Sequence, residues 1–295
     1  VTHALAAAPA APAARTGHDS VGLLRLYRAE LRWIFRRPRT LAVLGLLALI
    51  PVIIGVALTL VDEPAGSGGG PSGDGALLAS AVNNGFILPV AALTMTLALL
   101  LPLASAMAGA DAIAGEAAHG TLRGWLVAPV GRGRLLAIKA FGVATVSVIA
   151  VLAMTFTGFV TGLTISGTDS MFTLTGSTLS VWDALGRILL VALWVTLQLW
   201  AVGAVALAIS SFTEHPMLVV ASVLAGTIVF TILGFLDAVS WLHPFLLNEN
   251  WSQTPASVLM DPIDTALLGE GALRAACYIV IGLSVAYARL TTRDG

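Results

Sequence analysis

Residues 188–236 read ILLVALWVTLQLWAVGAVALAISS, then FTEH, then PMLVVASVLAGTIVFTILGFL. A helix needs ~20 mostly apolar residues to cross a bilayer, because its backbone groups must bond internally there. Both runs meet that length without a single charge. Glu214 and His215 fall in the turn between them, and Pro216 suits the first position of the following helix. Two membrane-spanning helices joined by a short polar turn follow from this stretch alone.

The same pattern continues on both sides. Uncharged stretches at 40–61, about 85–110 and 140–165 precede the pair, and a shorter one at 275–288 follows it. The last extends back to 271, with Arg274 snorkelling at its start. The expected fold is an all-α membrane protein with six transmembrane helices, spanning 40–61, 85–110, 140–165, 188–211, 216–236 and 271–288. Composition agrees: 57% of residues are hydrophobic and 11% charged, where a soluble domain carries about 25% charged residues. Mean hydropathy is +0.92. A net charge of −1 leaves no basic excess for nucleic acid. The one cysteine, Cys277, lies in an apolar run and reads as packing.

Arginines and lysines mark the cytoplasmic side of a membrane protein. With the N-terminus inside, the inner segments hold Arg15, Arg25, Arg28, Arg32, Arg36, Arg37 and Arg39, then Arg123, Arg132, Arg134 and Lys139, then Arg289 and Arg293. Of the fifteen basic residues only Arg187 and Arg274 fall elsewhere, at helix boundaries. The outer loops carry acids instead, among them Asp62, Glu63, Asp183, Asp237, Glu249, Asp261 and Asp264. Both termini are therefore expected in the cytoplasm. The first span is too long for a signal peptide and lacks a small-residue cleavage site, so it stays as an anchor. Residues 1–19 are Ala/Pro-rich and expected to be disordered, 64–75 read as a flexible linker, and 289–295 form a cytoplasmic tail.

Before the first span, Leu24, Tyr27, Leu31, Ile34 and Phe35 share a helical stripe, with Arg25, Arg32 and Arg36 beside it and Arg28 at its border. Residues 20–39 are expected to form an interfacial helix, apolar side in lipid, arginines towards phosphates or a docking partner. Between the second and third spans, residues 111–139 read DAIAGEAAHGTLRGWLVAPVGRGRLLAIK. A plain turn needs only a few residues; this segment is long enough for a short helix, a break at Pro129 and a basic re-entry. Glu116 lies near the end of span two, where a lone carboxylate is costly, so it is expected to pair with an arginine or a partner protein.

The stretch GEAAHGTLRGWLVAPVGRGRLLAIK resembles the segment after the second span in ABC-2 type permeases. Glu116, Gly120, Thr121, Leu122, Leu126, Pro129, Val130, Arg132 and Lys139 occupy positions matching that pattern, whereas His119 and Trp125 have no counterpart in it. LYRAELRWIFRRPRT is similar to the family's entry helix, and the segment with Trp241, His243, Pro244, Phe245 and Trp251 is similar to its last external segment. The resemblance implies a homodimer, or a heterodimer with a similar permease, bound to two cytoplasmic P-loop ATPase subunits. It implies that a cytoplasmic coupling helix between spans two and three meets the ATPase through Glu116, Gly120, Thr121, Leu122, Arg123, Pro129 and Arg132. Spans two and five would line the pathway, and short helices between spans five and six would dip into the outer leaflet.

The chain itself has no G-x-x-x-x-G-K-[ST] motif. Its only lysine, Lys139, follows an isoleucine, so ATP and Mg are expected on a partner and no cofactor on this chain. His3, His18, His119, His215 and His243 are scattered without metal-ligand spacing. Ser210, Ser211 and His215 form no nucleophile arrangement. Gln198 is the most polar side chain deep in a span, which suits a greasy or amphipathic substrate. Gly158 and Gly162 allow close helix approach, and Pro51, Pro89 and Pro102 are candidate kinks, or ordinary membrane-helix prolines. The expected function is the membrane permease subunit of an ATP-driven exporter in the plasma membrane, and not an enzyme. The alternatives are a polytopic enzyme acting on lipid, with Asp261 and Asp264 as its acids, or a non-transporting sensor or assembly subunit.

Overall fold

The computed structural model describes residues 23–60, 80–81, 84–118, 120, 131–167, 173–174 and 180–292. Among them the secondary structure is entirely helical. The chain opens with α1 (Leu23–Arg36) and α2 (Pro38–Leu60), followed by α3 (Ile87–Leu97), α4 (Leu100–Ala112) and the short α5 (Ala114–Ala118). Then come α6 (Arg132–Ser166), α7 (Val181–Ser210), α8 (Pro216–Gly234), a 3-10 segment (Asp237–Phe245), α9 (Gln253–Val258) and α10 (Thr265–Thr292). Helices α2, α6, α7, α8 and α10 are each long and apolar enough to cross a membrane, and the bent pair α3–α4 makes six if it is one span.

The helices begin and end where local chemistry allows. Arg37 is the single non-helical residue between α1 and α2, as expected before a proline, whose ring disfavours the helical conformation of its predecessor. The sequence pattern starts the third, fourth and sixth spans at 140, 188 and 271. The structure starts them at Arg132, Val181 and Thr265 instead, because polar turns continue each helix beyond its apolar stretch. At α7, Ser180 caps the start by accepting a bond from the Trp182 amide at 3.4 Å. At α10, Asp264 Oδ1 accepts from the Ala266 and Leu267 amides at 3.0 and 3.2 Å. The last helix runs on to Thr292, so most of the expected tail from 289 is helical. Residues 1–22 and 64–75 lie outside the described residues.

The stretch expected as span two is broken: α3 and α4 meet at 59° across Ala98 and Leu99. Pro102 has no amide hydrogen to give the Ala98 carbonyl, and its ring crowds that carbonyl, so the helix fails one turn before it. Pro89 causes no such break because it lies in the first turn of α3, where amides have no intrahelical acceptor. Pro51 sits inside an unbroken α2.

The core is built around α3, whose Val90, Ala91, Ala92, Leu93 and Leu97 are wholly buried. Helix α2 packs on α6, α4 on α7, and α10 on α7. The expected role of Gly158 and Gly162 holds. A Cβ on Gly162 would lie inside van der Waals contact of the Gly85 backbone, and one on Gly158 would be 2.9 Å from Pro89 Cα. Outward, α2, α8 and α10 expose Leu46, Ile53, Ile228, Ile232, Val280 and Ile281, the apolar rim that lipid requires.

Candidate functional site

The sequence stripe on α1 is only partly an outer face. Tyr27 hydrogen-bonds Thr145 of α6 at 2.9 Å, and its ring meets Phe141 edge-on with centroids 3.7 Å apart. Ile34 and Glu30 lie over Gly142, where a Cβ would be 2.9 Å from Ile34 Cδ1 and 3.2 Å from Glu30 Cγ. Tyr27, Glu30 and Ile34 therefore form the side of α1 that seats on α6, which corrects the expectation that Tyr27 and Ile34 face lipid. The physical reason is Glu30, an acid on the same stripe that needs a cation. Arg25, Arg28, Arg32 and Arg36 are all exposed, on the opposite side of the helix, and Trp33 lies on the flank between the two sides.

Glu30 finds that cation in Lys139, whose Nζ lies 3.0 Å from both Glu30 carboxylate oxygens. Lys139 Nζ also donates to Glu116 Oε1. The three side chains are 6%, 2% and 4% exposed for Glu30, Lys139 and Glu116, so this is a buried ionic cluster. Glu116 thus pairs within the chain, and with the lysine rather than an arginine. Burial pushes the Glu116 carboxyl above the usual carboxylate range; Lys139 opposes this and the Glu30 carboxylate adds to it. Two acids thus share one ammonium.

A second ionic group borders the first. Arg37 and Arg39 lie 3.3 and 3.7 Å from the Asp111 carboxylate at the end of α4. The Arg37 guanidinium also stacks 3.3 Å from the centre of the Trp33 ring. The elbow between α1 and α2 is thereby tied to the end of span two, and a cavity of about 40 Å³ lies between these groups and Val43, Leu44 and Met107. Glu116 lies in α5, before segment 119–131 in the chain, and Lys139 in α6, after it, so their contact ties α5 to α6.

The other residues expected in the coupling segment are distributed as follows. Gly120 has φ +71°, a left-handed conformation suited to glycine just after a helix, and its amide bonds the Ala117 carbonyl at 3.0 Å. Arg132 donates to the Leu290 and Thr291 carbonyls at 2.8 and 2.6 Å, so its guanidinium fastens the start of α6 to the end of α10. Thr121, Leu122, Arg123 and Pro129 lie outside the described residues. Glu30 was missed by the sequence reading. Its signal was an acid at the Tyr27–Ile34 helical spacing within a strongly basic helix.

The opposite end of the bundle is held by polar clamps. Arg187 donates to the Val258 and Met260 carbonyls at 3.0 and 2.7 Å and lies 3.4 Å from Asp261. Arg274 does not snorkel: it donates to the Leu246 and Glu249 carbonyls at 3.3 and 3.1 Å. Gln198 bonds the Gly271 carbonyl at 3.1 Å and accepts from Trp251 Nε1 at 3.3 Å. Asp261 and Asp264 are thus engaged in a clamp and a helix cap. Among the described residues no group of three His, Cys, Asp or Glu side chains could hold a metal.

This is a polytopic helical membrane protein with a buried ionic cluster at its arginine-bearing end and a clamped helical cap at the other. It belongs to the ABC-2 transporter family: the family model described as ABC-2 family transporter protein matches residues 24–294, nearly the whole chain. No curated protein matches the chain. Membership makes it a membrane transport subunit of a family that generally works with ABC ATPase partners.

Proposed function

We propose that this chain is the permease subunit of an ATP-driven exporter. In this reading it forms the substrate pathway with a second, identical or similar permease. Two P-loop ATPase subunits carry the ATP and Mg, and this chain holds no cofactor. The arginine-bearing end faces the cytoplasm with both termini, and the protein resides in the plasma membrane. All six spans cross, α1 lies at the inner interface with Arg25, Arg28, Arg32 and Arg36 outward, and residues 115–130 meet the ATPase.

The observation that carries this reading is the Glu30–Lys139–Glu116 cluster. Glu116 of α5 and Lys139 of α6 flank segment 119–131 in the chain and meet in one buried ion pair, and Glu30 joins α1 to the same point. A push on the segment by a closing ATPase pair would therefore move the end of span two, the start of span three and the interfacial helix together. The break at Leu99 gives span two a place to bend in response.

The test is ATP turnover by the purified complex with its partner ATPase in a reconstituted bilayer. Alanine at Glu116 or Arg123 should lower substrate-stimulated turnover while leaving membrane insertion intact. Unchanged turnover in both variants would remove this segment from the coupling path.

A further inference from the structure

We infer that the outer side of α1 is a docking surface for anionic phospholipid, with Arg25, Arg28, Arg32 and Arg36 engaging the headgroup phosphates. The inference rests on the reading that places the arginine-bearing end at the inner membrane interface, and it adds the partner of these arginines. The four recur along one side of the helix at intervals of three and four residues. All are exposed, and among the described residues none has an ion-pair or hydrogen-bond partner. Glu30, the only acid in α1, is buried on the other side against Lys139. With Ala29 and Trp33 the arginines border a shallow, open depression on the helix surface.

The position of α1 on α6 selects the partner. Tyr27 meets Phe141 and Thr145 of α6, and Ile34, seven residues further along α1, lies over Gly142. About 10 Å of α1, at 1.5 Å per residue, thus meets little more than one turn of α6. Helix α1 therefore crosses α6 rather than running along it, and lies in the plane of the membrane that α6 spans. Its depth is set by α6 itself. Lys139 is the last charged residue of α6, and 140–165 carry no charge. Phe141, beside the seat of α1, is 50% exposed. Hydrocarbon thus begins at the height of α1, and the adjoining layer is that of the headgroups. Because α1 sits on the flank of α6, its arginine side looks away from the bundle into the surrounding leaflet. Long arginine side chains reach phosphates from that position, and Trp33 on the flank of α1 suits the same layer.

Two other partners match the surface less well. An ATPase that meets segment 119–131 approaches the start of α6 at Arg132, ~15 Å along the helix from Gly142 at 1.5 Å per residue, on the cytosolic side of α1. A second copy of the chain offers too little opposite charge. At this end Glu30, Asp111 and Glu116 already face Lys139, Arg37 and Arg39. Among the described residues Glu214 is the only other acid there, one carboxylate against four guanidiniums. A phosphodiester bears one charge and presents two oxygens that a guanidinium fork can bind together. Four arginines beside a membrane span form the kind of basic cluster that selects anionic lipid, each contributing about fivefold to binding.

The experiment reconstitutes the full chain, without an ATPase, in phosphatidylcholine nanodiscs that carry a minor fraction of phosphatidylglycerol with a photoreactive diazirine near its glycerol. A parallel set carries the same diazirine on phosphatidylcholine, and insertion sites are mapped by mass spectrometry. At equal mole fraction the phosphatidylglycerol probe should label exposed Ala29 and Trp33 about fivefold or more above the phosphatidylcholine probe. Replacing all four arginines by glutamine (Arg25→Gln, Arg28→Gln, Arg32→Gln, Arg36→Gln) should bring the two probes level there, while label at exposed Leu41 of α2 stays unchanged. These side chains hold no partner within the described residues, so the variant keeps the contacts of α1 with α6. Equal labelling by the two probes in the wild type, or a preference that survives the quadruple variant, would overturn the inference alone. Absence of label at Ala29 and Trp33 from both probes would overturn the membrane placement of α1 and the inference with it. Phosphatidylglycerol label lost on adding the partner ATPase, with protein cross-links taking its place at Ala29 and Trp33, would assign the arginines to the ATPase instead.

Discussion

Replacing Lys139 by methionine should be far more damaging than replacing Glu116 by glutamine, although both remove one member of the same cluster. Methionine keeps most of the length of the side chain and removes its charge, leaving the Glu30 and Glu116 carboxylates buried without the ammonium that both contact. Removing one partner of a buried ion pair costs ~3–5 kcal/mol, since the remaining charge must be neutralised or solvated. Glu116→Gln instead leaves Lys139 bonded at 3.0 Å to both oxygens of Glu30 and relieves the crowding of two acids on one base. Its cost should stay near that of one hydrogen bond, about 1 kcal/mol. The readout is the tryptophan-fluorescence melting midpoint of the purified protein in mild detergent. At ~2–4 °C per kcal/mol for a chain of this size class, Lys139→Met should lower the midpoint by roughly 6–20 °C and Glu116→Gln by about 2–4 °C. Equal shifts for the two variants would refute the reasoning, because they would mean that the ammonium is not the centre of the cluster. Replacing all three members by apolar residues of similar volume should restore much of the lost midpoint, since a well-packed apolar cluster needs no charge compensation.

Three further outcomes are expected. Because burial raises the Glu116 pKa, the native state binds that proton more tightly than the unfolded chain. Its stabilising contribution is full below the ordinary carboxylate value and is lost as pH rises through the folded value, so the midpoint difference between wild type and Glu116→Gln should shift against wild type as the pH is raised from the carboxylate range towards neutral. Gly162→Ala places a methyl group against the Gly85 backbone and should cost ~1–3 kcal/mol by overpacking, read from the same melt. Pro102→Ala returns the amide that the Ala98 carbonyl lacks; if span two straightens from its 59° bend, spin labels at the outer ends of α3 and α4 should move apart by roughly 5 Å in a pulsed electron resonance distance measurement, given 1.5 Å per residue.

The membrane helices were legible because hydrocarbon imposes length and apolarity together, and residues 188–236 show both without ambiguity. Their full extents were not. The turns at 132–139 and 181–187 carry charges, and a polar turn continuing a helix leaves no hydropathy signal. The break in span two was half legible: three prolines were visible, and only their distance from a helix start separates Pro102 from Pro89. The Glu30–Lys139 contact joins residues 109 positions apart, so no local pattern reports it. Glu116 was singled out from the cost of a buried carboxylate, but its partner required the fold. Arg187 and Arg274 showed why positional rules alone mislead at helix ends: each guanidinium has carbonyls of the helical cap as its target, a role that charge counting does not distinguish from snorkelling.

The central claim is that this chain delivers a transport pathway driven by a separate ATPase. The most direct measurement is the mass and composition of the intact assembly purified through a tag on this chain from gently solubilised membranes. The expected result is a complex of two permease chains and two P-loop ATPase chains, lost on substitution within segment 119–131. Recovery of this chain without any ATPase, at every expression level and in every mild detergent tried, would contradict the account.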